Sequence, residues 1–470
     1  MKISTPKMFD GSGPQLLAVL AGTINAISDG MQYGWTAPSV PILKSANSTI
    51  EITHTEEVWL ELFYMLGSFL GLPFSINLVD LIGRKMTVWI SSFIGIFGWI
   101  CIGAGNHIYF LYAGRLLLGI TADIVFTASP VYISEIAHQN IRGFLAGLIY
   151  LMMLFGIVII YAIGPWIPIY ASACVGGFLL SLQIFILPFM PESPYYLIYA
   201  NQYDKAEKAL RRLRNENNIT KELDEIQKAV KRQMSERGRP QDLFLIESNR
   251  KASLIMILLN FTQHFSGISV LIMNVHSILN QAGSNVIRPE VSAIVFPCLM
   301  LVSATVATLI IDDCGRKILL EISGILTTLS LLVIAAFFHI KFLNISTEHM
   351  CWVPLLAIMV YAVAMKFGLG IVPIVITAEL FPTKVKGLGM ALADFIYISS
   401  SMLSIYCYQW LNRKFDICVS FYLFGFLCAI CTILISFYVP ETKGKTLEEI
   451  QMSLKNQSVH INMVTEDTKL

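Results

Sequence analysis

Charge is what this chain has least of. Asp, Glu, Lys and Arg make up 14% of its 470 residues against 55% hydrophobic, and mean hydropathy is +0.65. Soluble domains carry roughly 25% charged residues, so too few are present to clothe several water-soluble domains, and lipid is the expected solvent for most of the chain. No Pro/Ser/Gly linker separates the apolar blocks. Net charge is only +1, which argues against nucleic acid as a partner, because that binding needs concentrated basic surface. The nine cysteines show no CxxC spacing, and Cys101, Cys298 and Cys431 sit inside apolar runs, as buried thiols do. No GxxxxGK[ST], HExxH or nucleophile elbow occurs, so neither nucleotide-driven pumping nor hydrolytic chemistry is expected. No metal or cofactor is implied. The N-terminal MKISTPKMFDGSG has no apolar core followed by a small-residue cleavage site, so the first apolar segment is expected to be retained.

Long apolar runs are what the chain has in abundance. A bilayer core of about 30 Å takes about 20 apolar residues as a helix, which satisfies its own backbone hydrogen bonds where water cannot. Twelve runs qualify, near 15–37, 57–79, 86–105, 109–132, 144–165, 168–189, 253–279, 291–311, 317–340, 351–378, 388–410 and 417–438. Six precede a polar insert and six follow it. The insert, residues 191–252, reads as charged helices (KAEKALRRLRNENN, KELDEIQKAVKRQMSERGR) and has thirteen Lys and Arg between 201 and 251. The positive-inside rule places it in the cytoplasm. An even number of spans then puts both termini there too, with Arg413 and Lys414 as an exception on the outer side.

The charges that do occur are repeated. DLIGRK (80–85) returns as DDCGRK (312–317), SEIAHQNIRG (134–143) as AELFPTKVKG (378–387), and PESPYYL (191–197) as PETKGKTL (440–447). Three matched pairs in one order indicate internal duplication, six spans plus six. Parallel repeats related by an axis along the membrane normal are one transporter architecture.

Together with GRLLLG (114–119) and PVYISEIAHQNIRG (130–143), these motifs resemble the sugar porter family of the major facilitator superfamily over nearly the whole chain. SDGMQYGWTAPSVPIL, in the first span and its loop, is similar to insect facilitated trehalose transporter-like members. The resemblance implies an all-α membrane protein of two six-helix halves: residues 1–190, a cytoplasmic helical linker 191–252, residues 253–440, and a tail 441–470. It also implies a cytoplasmic gate in which Glu135 pairs with Arg316 and Glu379 with Arg84, completed by Arg142, Asp312 and Lys386, with Asp80 in the same motif. Ion pairs formed in one state bias the equilibrium between states by their differential energy. Gly83 and Gly315 are expected at tight turns.

Family members bind sugar through amides and a tryptophan in the C-terminal half. In TQHFSGISVLIMN, Gln263 is kept, His264 replaces a second glutamine, and Ser269 replaces an asparagine. Ile374 stands at the tryptophan position. Tyr150, Tyr397 and Ser401 stand where the family has amides. These seven are the candidate substrate-binding residues. Gln263 reads either as a ligand group or as an interhelical hydrogen bond, and His264 as packing, substrate contact or proton sensing.

Ionisable residues within spans are functional candidates: Asp29, Arg115, Asp123, Lys366 and Asp394. Asp123 and Lys366 occupy equivalent places in the two halves and are expected to pair. Gln32 aligns with the acid that titrates in proton-coupled members, and an amide cannot exchange a proton, so facilitative uniport is expected. A proton symporter and a solute sensor without flux are the alternatives. The expected partners are a small sugar and the lipid bilayer, with no obligate protein partner, at the plasma membrane. Asn47 and Asn344 match glycosylation acceptors in outer loops.

Overall fold

The computed structural model describes residues 13–454 except 46, 47, 49, 139, 140, 215–218, 236–238, 284–287, 383 and 446–448. It also leaves the side chains of Gln233, Asp312, Asp313, Glu348 and Ala378 undescribed. Among the described residues there are helices and no strands. The first ten helices are α1 (Gly13–Tyr33), α2 (Thr36–Leu43), α3 (His54–Leu81), α4 (Arg84–Ala104), α5 (Ile108–Ile136), α6 (Arg142–Ile163), α7 (Ile169–Ile186), α8 (Pro194–Tyr199), α9 (Tyr203–Arg214) and α10 (Thr220–Ser235). They are followed by α11 (Asp242–Leu245), α12 (Glu247–Phe265), α13 (Ile268–Ala282), α14 (Pro289–Cys314), α15 (Arg316–Phe342), α16 (Trp352–Phe367), α17 (Val372–Leu380), α18 (Lys386–Lys414) and α19 (Ile417–Tyr438).

Two compact units result. One is Met1–Ser235 with Ile272–Ser277, and the other is Glu236–Leu271 with Ile278–Leu470. Eleven stretches among the described residues are long and apolar enough to cross a bilayer, with α12–α13 and α16–α17 each counted as one. The remaining expected span, α1, is 21 residues long but falls outside that group because its inward side is polar. Asn25 Nδ2 donates to Ser91 Oγ (3.2 Å), Ser28 Oγ accepts from Trp99 Nε1 (2.8 Å), and Gln183 Nε2 donates to Ala21 O (3.0 Å). A helix so held needs no lipid-facing apolar surface all round. Local signals start α3, where Thr53 and Glu56 form a reciprocal capping box.

Of the insert's helices, α8, α9 and α10 belong to the first unit and α11 to the second. Leu197, Ile198, Ala206, Ala209, Leu210, Ile226 and Val230 form a small core of their own, while Leu213 joins the apolar core of the bundle. Gln15 Nε2 donates to Leu213 O (3.3 Å), Arg214 Nη1 donates to Ile136 O (2.9 Å), and Arg214 pairs with Glu222 at 2.7 Å.

Candidate functional site

Each unit builds the same device at one end of its bundle. In the first, Gly83 has φ +98° and Arg84 begins α4 immediately after it. A Cβ on Gly83 would lie 2.7 Å from the Tyr196 ring and 2.8 Å from Glu192 Oε2, so both the backbone and the space require glycine. The Arg84 guanidinium meets Glu135 twice at 2.9 Å, Nη2 to Oε1 and Nε to Oε2, and Asp80 at 3.4 Å. Ser193 Oγ donates to Glu135 Oε2. Glu192 Oε1 accepts from the backbone N–H of Lys85 (3.0 Å) and of Ser193 (2.8 Å). A carboxylate there satisfies orphan donors at a helix start and meets the positive end of the helix dipole.

The second unit repeats this with other residues. Gly315 has φ +91°, Arg316 begins α15, and its Nη2 donates to Glu379 Oε1 at 3.1 Å. Glu441 accepts from the backbone N–H of Arg316 (3.0 Å), Lys317 (3.0 Å) and Lys443 (2.9 Å). Partial burial pushes the Glu441 carboxyl up, but these N–H bonds outweigh it and hold it below the usual carboxylate range.

The described ion pairs run Arg84 to Glu135 and Arg316 to Glu379, each inside its own unit, where the resemblance implies Glu135 with Arg316 and Glu379 with Arg84. The reason is local: each arginine opens a helix whose neighbour in the same bundle ends at that acid. Arg142 is exposed at the start of α6, and Lys386 opens α18 within electrostatic reach of Glu379. The Asp312 side chain lies outside the described residues. Sequence reasoning assigned no role to Glu192 and Glu441, although the repeated Pro-Glu offered the signal.

The middle of the second unit holds a different arrangement. Gly267, left-handed at φ +83°, breaks the span into α12 and α13. At the break, Gln263 is 2% exposed and His264 fully buried. His264 Nδ1 lies 2.9 Å from Ser269 Oγ, which lies 2.9 Å from Ser401 Oγ on α18. Tyr397, one turn before Ser401, presents its ring edge-on to the imidazole at 4.2 Å between centroids. Among the described residues His264 Nε2 and Gln263 Oε1 have no hydrogen-bond partner. Tyr361 Oη donates to Ser266 O (2.9 Å), fixing the broken backbone. Lys366, buried at the end of α16, is near enough for its charge to act on His264. A second break follows it at Gly368–Ile371, bridged by Ser323 Oγ, which donates to Ala364 O (2.7 Å) and accepts from Leu369 N (2.9 Å).

Of the expected binding residues, then, Gln263, His264, Ser269, Tyr397 and Ser401 belong to one unit, four of them in a single contact chain. Ile374 is 51% exposed on α17, and Tyr150 is half-buried on α6 of the first unit. Asp394 is half-buried on α18.

The first unit buries a cluster of charged groups instead. Arg115 is fully buried and donates to Leu60 O (3.0 Å), Gln32 O and Gln32 Oε1 (2.9 Å). Its guanidinium stands 4.6 Å from the Tyr64 ring centroid, and Tyr64 Oη donates to Asp29 Oδ1 at 2.6 Å. Glu61, fully buried, acts electrostatically on the same arginine. Sequence reasoning missed it, though an acid inside VWLELFYM was the available signal. Asp123 accepts from Ser75 Oγ at 2.6 Å. Asn344 is exposed in a turn at φ +56°, and Asn47 lies outside the described residues.

Helical bundles, paired glycine-arginine turns and helices broken at a buried polar cluster define a transporter of the major facilitator fold. The xylose symporter XylE, solved with 6-bromo-6-deoxy-D-glucose, matches this architecture with a TM-score of 0.76 at 20% identity, covering 94% of this chain and 100% of that one. The chain belongs to the sugar (and other) transporter family, whose profile matches residues 16–454. It is 29% identical to the facilitated trehalose transporter Tret1 of Bombyx mori, across 99% of this chain and 91% of that protein. It is 32% identical to the sugar transporter ERD6-like 6 of Arabidopsis thaliana, across 94% and 91%. The protein is a multi-pass membrane transporter of sugars.

Proposed function

We propose that the chain is a facilitative, alternating-access carrier for trehalose or a hexose, in the plasma membrane with both termini cytoplasmic, and that it performs no catalysis. The observation that carries this reading is the break at Gly267, where Gln263 Oε1 and His264 Nε2 are buried and have no partner among the described residues. A buried polar atom left unpaired costs about 1–3 kcal/mol, and a hydroxyl-rich solute would recover that where an apolar one would not. Broken spans whose free polar groups face the solute are a recurring transporter device. The Glu135 and Glu379 latches, with Arg142 and Lys386 nearby, would close and open the inner rim.

Uniport is supported by Gln32, whose amide oxygen accepts from Arg115 where proton-coupled relatives would have an acid. A specific observation favours proton coupling as the second reading: Asp29 and Glu61 both face Arg115, and two buried carboxylates on one cation can hold a proton. Uptake of labelled trehalose and glucose into vesicles reconstituted with the protein separates the two. Flux that equilibrates the sugar without a pH gradient supports uniport. Accumulation that requires the gradient selects symport, and absence of flux for every sugar tried sinks both.

A further inference from the structure

Helix α9 carries five cations that do not share one fate. Arg211 pairs with Glu207 and Arg214 with Glu222, both at 2.7 Å. Lys205, Lys208 and Arg212 make no ion pair among the described residues, and all three are exposed. At 100° per residue they fall within an arc of about 60°, bordering the buried face of Ala206, Ala209, Leu210 and Leu213. Three like charges in one strip repel each other, so the free protein gains nothing from the arrangement.

The strip leads to the apolar surface of the bundle. Arg212 lies within electrostatic reach of Lys85, whose ammonium donates to Met190 O (3.0 Å) and Pro188 O (3.4 Å). Between those carbonyls Phe189 is 69% exposed, and one turn earlier Phe185, at the end of α7, is 72% exposed. Exposed rings at the end of a membrane-crossing helix belong in acyl chains or at the headgroup level. The cations spread over about 10 Å of helix instead of converging on a point, which suits a row of headgroups better than one small anion.

We propose that the face of α9 bearing Lys205, Lys208 and Arg212 docks on anionic lipid headgroups, phosphatidylserine or a phosphoinositide, of the leaflet that receives Phe185 and Phe189. This goes beyond the transport reading but rests on the protein being embedded in a bilayer. Basic segments near an anionic leaflet gain affinity with each cation and lose it with salt. The lipid holds the insert of the first unit against the membrane.

The test titrates the full-length protein in detergent with short-chain phosphatidylserine, with phosphatidylcholine of the same chain length, and with free phosphoserine. The expected result is binding of phosphatidylserine alone. It should weaken about fivefold for each of Lys205→Gln, Lys208→Gln and Arg212→Gln, fall further in the triple variant that combines them, fade as salt is raised, and leave thermal unfolding unchanged. A second triple variant, Lys221→Gln, Lys231→Gln and Arg232→Gln, removes the same charge from α10 and should leave affinity intact. Equal losses from the two triples, or equal binding of phosphatidylcholine, overturn the proposal, and equal binding of free phosphoserine reassigns the strip to soluble anions. Because the titration requires neither flux nor a sidedness, its failure is distinguishable from failure of the transport reading.

Discussion

In the first half a glycine at φ +98° precedes Arg84, which meets Glu135; in the second a glycine at φ +91° precedes Arg316, which meets Glu379. Glu441 caps its new helix through the consecutive backbone N–H groups of Arg316 and Lys317, and Glu192 caps the other through Lys85 N–H. The copies then part. Ser193 Oγ completes Glu135, whereas its counterpart Thr442 Oγ1 and Glu379 Oε2 are both buried without a hydrogen-bond partner among the described residues. Away from the latches the difference widens: the first half buries Arg115 with Asp29 and Glu61, while the second presents a histidine-serine chain within electrostatic reach of Lys366. Duplication has preserved the backbone geometry that turns the chain at the rim, and divergence has been free to change the side chains that meet a solute.

The largest effect should come from setting the two buried polar clusters against each other. Arg115→Met strands three acceptors and two acids, and loss of one partner of a buried charge set costs about 3–5 kcal/mol; thermal unfolding in detergent should show little folded protein. Lys366→Met keeps an apolar stem against Gly370 and should cost far less. If the two cost the same, the contrast between the halves is wrong. Next in size, His264→Leu should lower sugar uptake efficiency about tenfold by removing one buried polar contact, with protein abundance unchanged, and Ser401→Ala should lower it less. Equal uptake by wild type and His264→Leu would remove the imidazole from the binding site.

A smaller effect sharpens the comparison of the latches. Ser193→Ala should cost about 1.5 kcal/mol as a hydrogen bond to a carboxylate, whereas Thr442→Val, which deletes a hydroxyl already unpaired, should be neutral or slightly stabilising. Unfolding midpoints of both variants decide it, and equal losses would mean that the latches are alike. The smallest effect concerns Glu441. Its folded pKa is depressed, so its contribution is present above the unfolded carboxylate value of about 4.3 and is lost as pH falls through the folded value. The stability gap between wild type and Glu441→Gln should accordingly persist at neutral pH and shrink toward pH 3. A gap constant with pH would show that the cap acts without its charge.

Much of this was legible before any coordinates. The cation of each latch could be read from DLIGRK and DDCGRK and its acid from SEIAHQNIRG and AELFPTKVKG, and the break at Gly267 falls inside the stretch singled out for binding. The partners could not be read, because Arg84 has two acids at equivalent repeat positions and sequence offers no ground for preferring the one in its own bundle. Glu61 was hidden because one acid barely lowers the hydropathy of the run around it. The serine chain from His264 to Ser401 joins residues 132 positions apart, a separation no local pattern reports.

By itself the sequence determined the solvent, the helical class, the duplication and the glycines of the two turns, since hydropathy and turn chemistry are sums over neighbouring residues. The tertiary structure alone decided which acid each arginine meets, which hydroxyls remain unpaired, and which cations of α9 are left over. Those outcomes depend on which helix lies beside which, and a side chain a few ångströms away in space can be a hundred residues away along the chain.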